Sequence, residues 1–336
     1  MDSLSQLALG AAVGVAVMGR RTAVWKSALW GGVAGTLPDL DVLIDHGDAI
    51  ANMVLHRAES HSPFWLTLVS LPLAVGVARL HGQLALWRRW WLAVWLALVT
   101  HPLLDAMTVY GTQLGLPFTS YPYGVGSVFI VDPLYTLPLL VGAGWALAGR
   151  GSSRGLRANG IGLVLSCAYL AWSVLAQAQA TRVAKQALAV RGITAQQLLV
   201  TPAPFNTLLW RVVAVDGEHY YEGFYSLLDA VPDVGLDRFP RGTALAGELA
   251  GTSQVQRLRV FTKGFYKLRE EAGQVFITDL RMGQEPRYIF DFAVAQRHSE
   301  LKTLQPPVQL GARPDIARGL PWLWRRMWGE VLPPPR

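Results

Sequence analysis

The chain has 336 residues, 51% apolar and only 16% charged, against roughly 25% charged in ordinary soluble domains; its mean hydropathy is +0.28. These values set aside an ordinary soluble enzyme, and the single cysteine, Cys167, excludes a disulfide or a thiolate metal cluster built within one chain. A net charge of +7 would suit nucleic acid, but the cations of the first half sit in short connections beside apolar runs, so no nucleic-acid partner is expected.

The averages conceal a split. Residues 1–178 hold eight acids (Asp2, Asp39, Asp41, Asp45, Asp48, Glu59, Asp105 and Asp132), while residues 179–336 hold the other fifteen and twenty of the thirty Lys and Arg. The first part therefore reads as membrane-like and the second as soluble-like. Six apolar runs, at about 4–18, 27–44, 62–80, 90–107, 128–148 and 159–178, predict helices. A full crossing takes about 20 residues, so the last five qualify and the first is short. The fold expected is an α-helical integral membrane bundle of five or six spans followed by a small β-rich extracytoplasmic domain. No Lys or Arg precedes the first run and Arg20-Arg21 follow it, which is not the pattern of a cleaved signal peptide.

Basic residues alternate between the connections. Arg20, Arg21 and Lys26, then Arg79, Arg88 and Arg89, then Arg150, Arg154 and Arg157 occupy every second one, while 45–61 and 108–127 carry Arg57 alone. By the positive-inside rule the N-terminus and the C-terminal domain lie outside. All eight acids then fall at the outer face, with His46, His56, His61 and His101.

Residues 179–204 read as a helical linker carrying Arg182, Lys185 and Arg191. A β-rich soluble domain is expected over 205–300. Leu208 to Val215 is strand-like, Asp216-Gly217 is a hairpin signal and His219 to Tyr225 is the return strand; further strands are expected at 255–261, 274–280 and 287–294. The tail, 301–336, is rich in Pro, Trp and Arg. Its cluster from Trp322 to Trp328 suits either a membrane surface or a short helix packed on the domain.

The chemistry concentrates in three stretches. Leu37-Pro38-Asp39-Leu40-Asp41 places two carboxylates where a proline ends a helix; they can reach a cation or simply cap the next segment. His56-Arg57-Ala58-Glu59-Ser60-His61-Ser62 straddles a loop-to-helix junction, where lone histidines are usually solvated. His101-Pro102-Leu103-Leu104-Asp105 puts an imidazole and a carboxylate on one helix face, with Asp105 either a ligand or the group that orients His101. An ionisable pair at the end of an apolar run is costly unless partnered. Asp132 and Gln6 reach the same face, each readable as a cap. Together the three stretches predict one metal site with Asp39, Asp41, His56, His61, His101 and Asp105 as ligands. Asp39, Asp105 and Arg57 are the expected catalytic groups, Arg57 balancing anionic charge. The cofactor expected is one or two divalent ions, zinc first, suited to hydrolysis through an activated water.

These stretches, with the opening Met1 to Gln6 and Thr108-Val109-Tyr110-Gly111-Thr112, make residues 1–145 resemble the YdjM-like, LexA-binding, inner-membrane-associated family described as membrane-bound metal-dependent hydrolases. Some members carry a His near the position of Gln6, which this chain lacks. The resemblance implies a metal-dependent hydrolase in a bacterial inner membrane, with its C-terminal domain periplasmic. The partners expected are membrane lipids or a lipid-linked ester or phosphoester; a homo-oligomer stays open. Two other readings remain, a scaffold or regulator with a structural metal and a transporter.

Overall fold

The computed structural model describes residues 1–311 and 315–336; residues 312–314, inside the tail, lie outside the described residues. The chain forms two compact units. One comprises 1–44, 57–174 and 204–206, the other 45–56, 175–203 and 207–336.

The first unit is helical. Its elements are α1 (Ser3–Met18) and α2 (Val24–Thr36), then, after α3 (Ala49–Leu55) of the other unit, α4 (Pro63–Leu80), α5 (Trp87–Asp105), α6 (Pro133–Ala148) and the first part of α7 (Ser153–Val190). Helix α1 is buried nearly all round, from Ser5 to Val15. Its Ala8, Leu9, Ala12 and Val13 meet Leu104 of α5 and Tyr135, Leu139 and Ala143 of α6. On its other side α1 crosses α2 at very short range through Gly10 and Gly14 facing Gly31 and Gly35. A Cβ on any of these four would enter the backbone of the partner helix. Two glycines four residues apart on each helix form the small-residue seam that lets apolar helices approach backbone to backbone.

The bundle of five or six spans is not what forms. Among the described residues only α4 and α7, of 18 and 38 residues, are long and apolar enough to cross a bilayer by length and composition. The physical reason is helix length. At 1.5 Å per residue, the 16 residues of α1 reach about 24 Å and the 13 of α2 about 20 Å, short of a hydrocarbon core of about 30 Å. Pro38 ends α2 early, and α5 carries Arg88 and Arg89 at one end and His101 and Asp105 at the other. Only 28% of the α4 window and 22% of the α7 window is buried, so both present mostly exposed apolar surface.

The second unit is mixed. The C-terminal part of α7 (Ala176, Ala180, Val183, Ala184, Ala187) packs on Val200, Trp210, Val212 and Tyr225. Its strands β1 (Gln197–Pro202), β2 (Leu209–Asp216), β3 (His219–Ser226) and β4 (Gly235–Pro240) form one antiparallel sheet in that order. The expected hairpin is present: Asp216 pairs with His219, and Gly217, at φ +53°, takes the first of the two turn positions, where a II′ hairpin requires glycine. Helices α8 (Thr243–Glu248) and α9 (Ser253–Phe261) follow, then β5 (Tyr266–Glu271), β6 (Gln274–Asp279), the short pair β7 (Gly283–Gln284) and β8 (Arg287–Tyr288), β9 (Asp291–Arg297), β10 (Leu301–Gln309) and α10 (Ile316–Met327). The second sheet has the order β10-β9-β6-β5.

Three boundaries differ from expectation. Residues 255–261 are helix α9, because Val255, Leu258 and Phe261 recur every third residue and bury one face. Helix α7 runs unbroken through 178/179 to Val190, and the sheets reach beyond 205–300 at both ends. In the tail, α10 packs through Trp322, Leu323 and Met327 on Leu209 and Phe224, and Arg326 is ion-paired with Asp229.

Candidate metal centre

Four side chains from three separate segments of the first unit meet: Asp39, His61, His101 and Asp105 form a group able to hold a metal ion. Each arrives for a local reason. Pro38 prevents α2 from continuing regularly, and Leu37–Leu43 tightens into a 3-10 turn that turns Asp39 and Asp41 off the helix axis. A second 3-10 turn, Glu59–His61, precedes α4, whose first residue is Pro63. His101 and Asp105 share the inner face of the last turn of α5. Three of the four residues are fully buried; Asp39 keeps 20% of its side chain exposed.

The donor atoms all lie within 4.8 Å of one another. His61 Nε2 lies 3.0 Å from His101 Nε2, 3.4 Å from Asp39 Oδ1 and 3.2 Å from Asp105 Oδ2. His101 Nε2 lies 3.4 Å from both Asp39 Oδ1 and Asp105 Oδ2. A tetrahedral ion about 2.0–2.1 Å from each donor separates its ligands by about 3.3 Å, close to the separations among His61, His101 and Asp105 and from both imidazoles to Asp39.

Three further observations test the fit. Asp105 Oδ2 is buried with no well-aligned hydrogen bond, its neighbours being Arg57 Nε at 3.3 Å and the His61 and His101 Nε2 atoms at 3.2 and 3.4 Å, an arrangement that a cation at the centre would complete. His101 Nδ1 lies 2.6 Å from the Gly35 carbonyl, which can only accept, so Nδ1 carries the proton and Nε2 presents its lone pair to the centre. His61 Nδ1 faces Ser60 Oγ at 2.8 Å and Asp41 Oδ2 at 3.4 Å, the outer partners that orient metal-bound imidazoles. The group therefore fits a divalent ion.

The surroundings are polar in a directed way. Asp105 Oδ1 accepts from Gln6 Nε2 at 3.0 Å and is ion-paired with the Met1 α-amino group. Arg57 Nε stands 3.3 Å from Asp105 Oδ2, and its guanidinium lies over the Tyr110 ring, 4.9 Å from the centroid. The Arg57 backbone is left-handed, at φ +66°; its N–H donates to Asp41 Oδ2 at 2.9 Å and its carbonyl accepts from Gln113 at 3.0 Å.

Burial by itself would lower the His61 pKa, but hydrogen bonds to the carboxylates of Asp105, Asp39 and Asp41 outweigh it and raise it to about 9. Burial opposes ionisation of Asp39, yet the hydrogen bonds from His101 and His61 hold it well below the usual carboxylate range. Without an ion, a proton on His61 takes the place of positive charge among the acids.

The six expected ligands thus divide. Asp39, His61, His101 and Asp105 converge. Asp41 instead accepts from the Arg57 amide and from Ser60 Oγ at 2.6 Å, behind His61. His56 caps the end of α3 in the other unit and is not in the group. Arg57 lies beside Asp105. Asp132 caps α6 through Leu134 N at 3.1 Å and accepts from Tyr169 at 2.8 Å, while Gln6 supports Asp105. Sequence reasoning missed Gly35, whose carbonyl fixes the His101 tautomer. The glycine spacing 10/14 and 31/35 was the available signal.

The YdjM inner membrane protein family model matches residues 1–180. The chain belongs to the YdjM inner membrane protein family. That match covers every residue of the group and assigns the protein to the inner membrane. No curated protein and no solved structure matches the chain.

Proposed function

We propose that this YdjM-family chain is a metal-dependent hydrolase acting at the outer face of the inner membrane on an ester or phosphoester of a lipid or lipid-linked substrate. The observation that carries the reading is the asymmetry of the group: His61, His101 and Asp105 are sealed, and Asp39 alone is reachable from outside. Two imidazoles and one carboxylate are a ligand set used by hydrolytic zinc sites, and zinc is the ion proposed. When bound, the ion supplies Lewis acidity, lowering the pKa of water and polarising an ester or phosphoryl oxygen.

The chain's own groups do the rest. The Asp39 carboxylate, kept ionised by the two imidazoles, accepts the proton of the attacking water at its oxygen. Arg57 offsets the charge of Asp105 and holds its Oδ2 toward the centre. Gln6 fixes the other oxygen. An apolar rim supports a lipid-like substrate: Leu40, Val42, Leu43 and Ile44 follow Asp39 and are exposed, as are Phe64, Trp65 and Phe118. The site lies at the helix ends opposite to those bearing Arg20, Arg21, Arg88, Arg89, Arg150 and Arg154, which supports an outer-face position by the positive-inside rule.

A second reading has a specific observation in its favour. Four protein donors within 4.8 Å of one another are also what a closed, structural ion uses, as in a membrane scaffold or regulator. Asp39→Asn separates the two. For a hydrolase the variant retains metal and loses turnover of a p-nitrophenyl ester or phosphoester that the metal-loaded protein cleaves and the chelated protein does not. For a structural site it loses metal and thermal stability together, and neither protein turns over any substrate.

A further inference from the structure

At the end of the first unit remote from the metal centre, the turn joining α1 to α2 and the turn joining α6 to α7 flank an open cleft of about 350 Å³ lined by Arg20, Thr22, Arg150 and Ser152 and by the backbone of Gly19 and Gly151. Its charge is one-sided. Arg20, Arg21, Lys26, Arg150, Arg154 and Arg157 lie on the two segments that form it, and no acid occurs between Asp2 and Asp39 or between Asp132 and Asp216. Arg20 reaches across the cleft, donating from Nε to the Gly151 carbonyl at 3.2 Å and from Nη2 to Ser153 Oγ. Both acceptors are neutral, so the bonds fix the guanidinium without cancelling its charge. Among the described residues Arg150 has no ion pair or hydrogen-bonded side-chain partner.

We propose that this cleft binds a phosphate group. Two guanidiniums on opposite turns line the cleft together with the Thr22 and Ser152 hydroxyls, which accept from Gln83 Nε2 and the Gly155 amide and keep their own protons to donate. A tetrahedral oxyanion can use all of them at once; a planar carboxylate cannot. The space exceeds a bare phosphate, which favours a phosphodiester with its attached glycerol, but free phosphate presents the same oxygens. This site is separate from the metal centre and does not depend on the hydrolase reading.

The test uses the full chain in a neutral detergent, titrated with inorganic phosphate in one arm and with dihexanoyl phosphatidylglycerol in the other, each against chloride at equal ionic strength. The readout is the thermal midpoint. A saturable rise with the lipid alone identifies a headgroup site, and a rise with phosphate as well identifies a site for the free anion; both support the proposal. Arg150→Gly is the informative variant. Residue 150 sits at φ +47°, where glycine is the relaxed choice, so the variant folds while losing one guanidinium. Its apparent affinity is expected to fall about tenfold, as for one charge-assisted contact, with metal content unchanged. Arg88→Gln, on the other basic turn, keeps wild-type affinity. The proposal is overturned if neither probe exceeds chloride, if Arg150→Gly binds like wild type, or if Arg88→Gln loses as much as Arg150→Gly.

Discussion

The seam between α1 and α2 fixes the metal centre from behind, and Gly35→Ala tests that coupling. A Cβ at Gly35 would stand 2.6 Å from the Gln6 carbonyl oxygen and 3.0 Å from Gly10 Cα. Both are backbone, so the helices must part by roughly 0.5–1 Å to restore contact. That movement carries the Gly35 carbonyl away from His101 Nδ1, now at 2.6 Å, to about the limit of a hydrogen bond. Overpacking costs about 1–3 kcal/mol, of which alanine returns up to ~1 kcal/mol through helix propensity. The stability loss is thus modest. The larger effect falls on metal affinity, because losing an outer partner of a ligating histidine costs about 10–100-fold. Gly32→Ala is the control: its Cβ meets only the Leu7 side chain, at 3.4 Å, and ordinary contacts beyond. Competition with a chromophoric chelator measures affinity in both, and thermal unfolding measures stability. Equal affinities in the two variants would refute the claim that the seam positions His101.

Asp41→Ala removes the acceptor behind His61 and the Arg57 amide; metal affinity is expected to fall about 10–100-fold while stoichiometry at saturating metal is unchanged, as read by chelator competition and elemental analysis. The His61 pKa, raised from 6.5 to about 9, gives opposite pH trends with and without metal. In the metal-free protein the protonated imidazole stabilises the fold fully below about 6.5, and that contribution is lost as pH rises through about 9. The metal-free thermal midpoint therefore falls across this window. Metal binding must displace the same proton, so affinity rises about tenfold per pH unit up to about 9 and then levels; a pH-independent affinity would show that His61 is not the protonated ligand. Asp132→Ala should cost about 1 kcal/mol through loss of the α6 cap, seen in denaturant unfolding, with metal content unaltered.

The convergence on one site was legible because imidazoles and carboxylates at the ends of apolar runs are costly without a shared purpose, and the i, i+4 pair His101/Asp105 could be placed on one face from spacing alone. Sorting ligands from supporters was not. Asp39 and Asp41 are equivalent in sequence, and only the tightness of the 3-10 turn sends one to the centre and the other behind His61. His56 and His61 are likewise alike as letters, but the left-handed Arg57 turns the chain between them. The count of spans failed for a different reason. Apolarity says that a helix avoids water, not whether lipid or protein surrounds it, and α1 is enclosed by α2, α5 and α6. In the second unit the β2–β3 hairpin was announced by its turn residues, whereas α9 was hidden by a run of β-branched and long side chains that bury one helical face.

The account rests on His61, His101 and Asp105 holding one ion together, with the Asp39 carboxylate beside it. Elemental analysis of the purified full chain, beside His61→Ala and His101→Ala, tests this most directly. One divalent ion per chain in the wild type and a large loss in both variants is the expected result. Wild-type protein without metal after reconstitution, or full metal content in either variant, would contradict it.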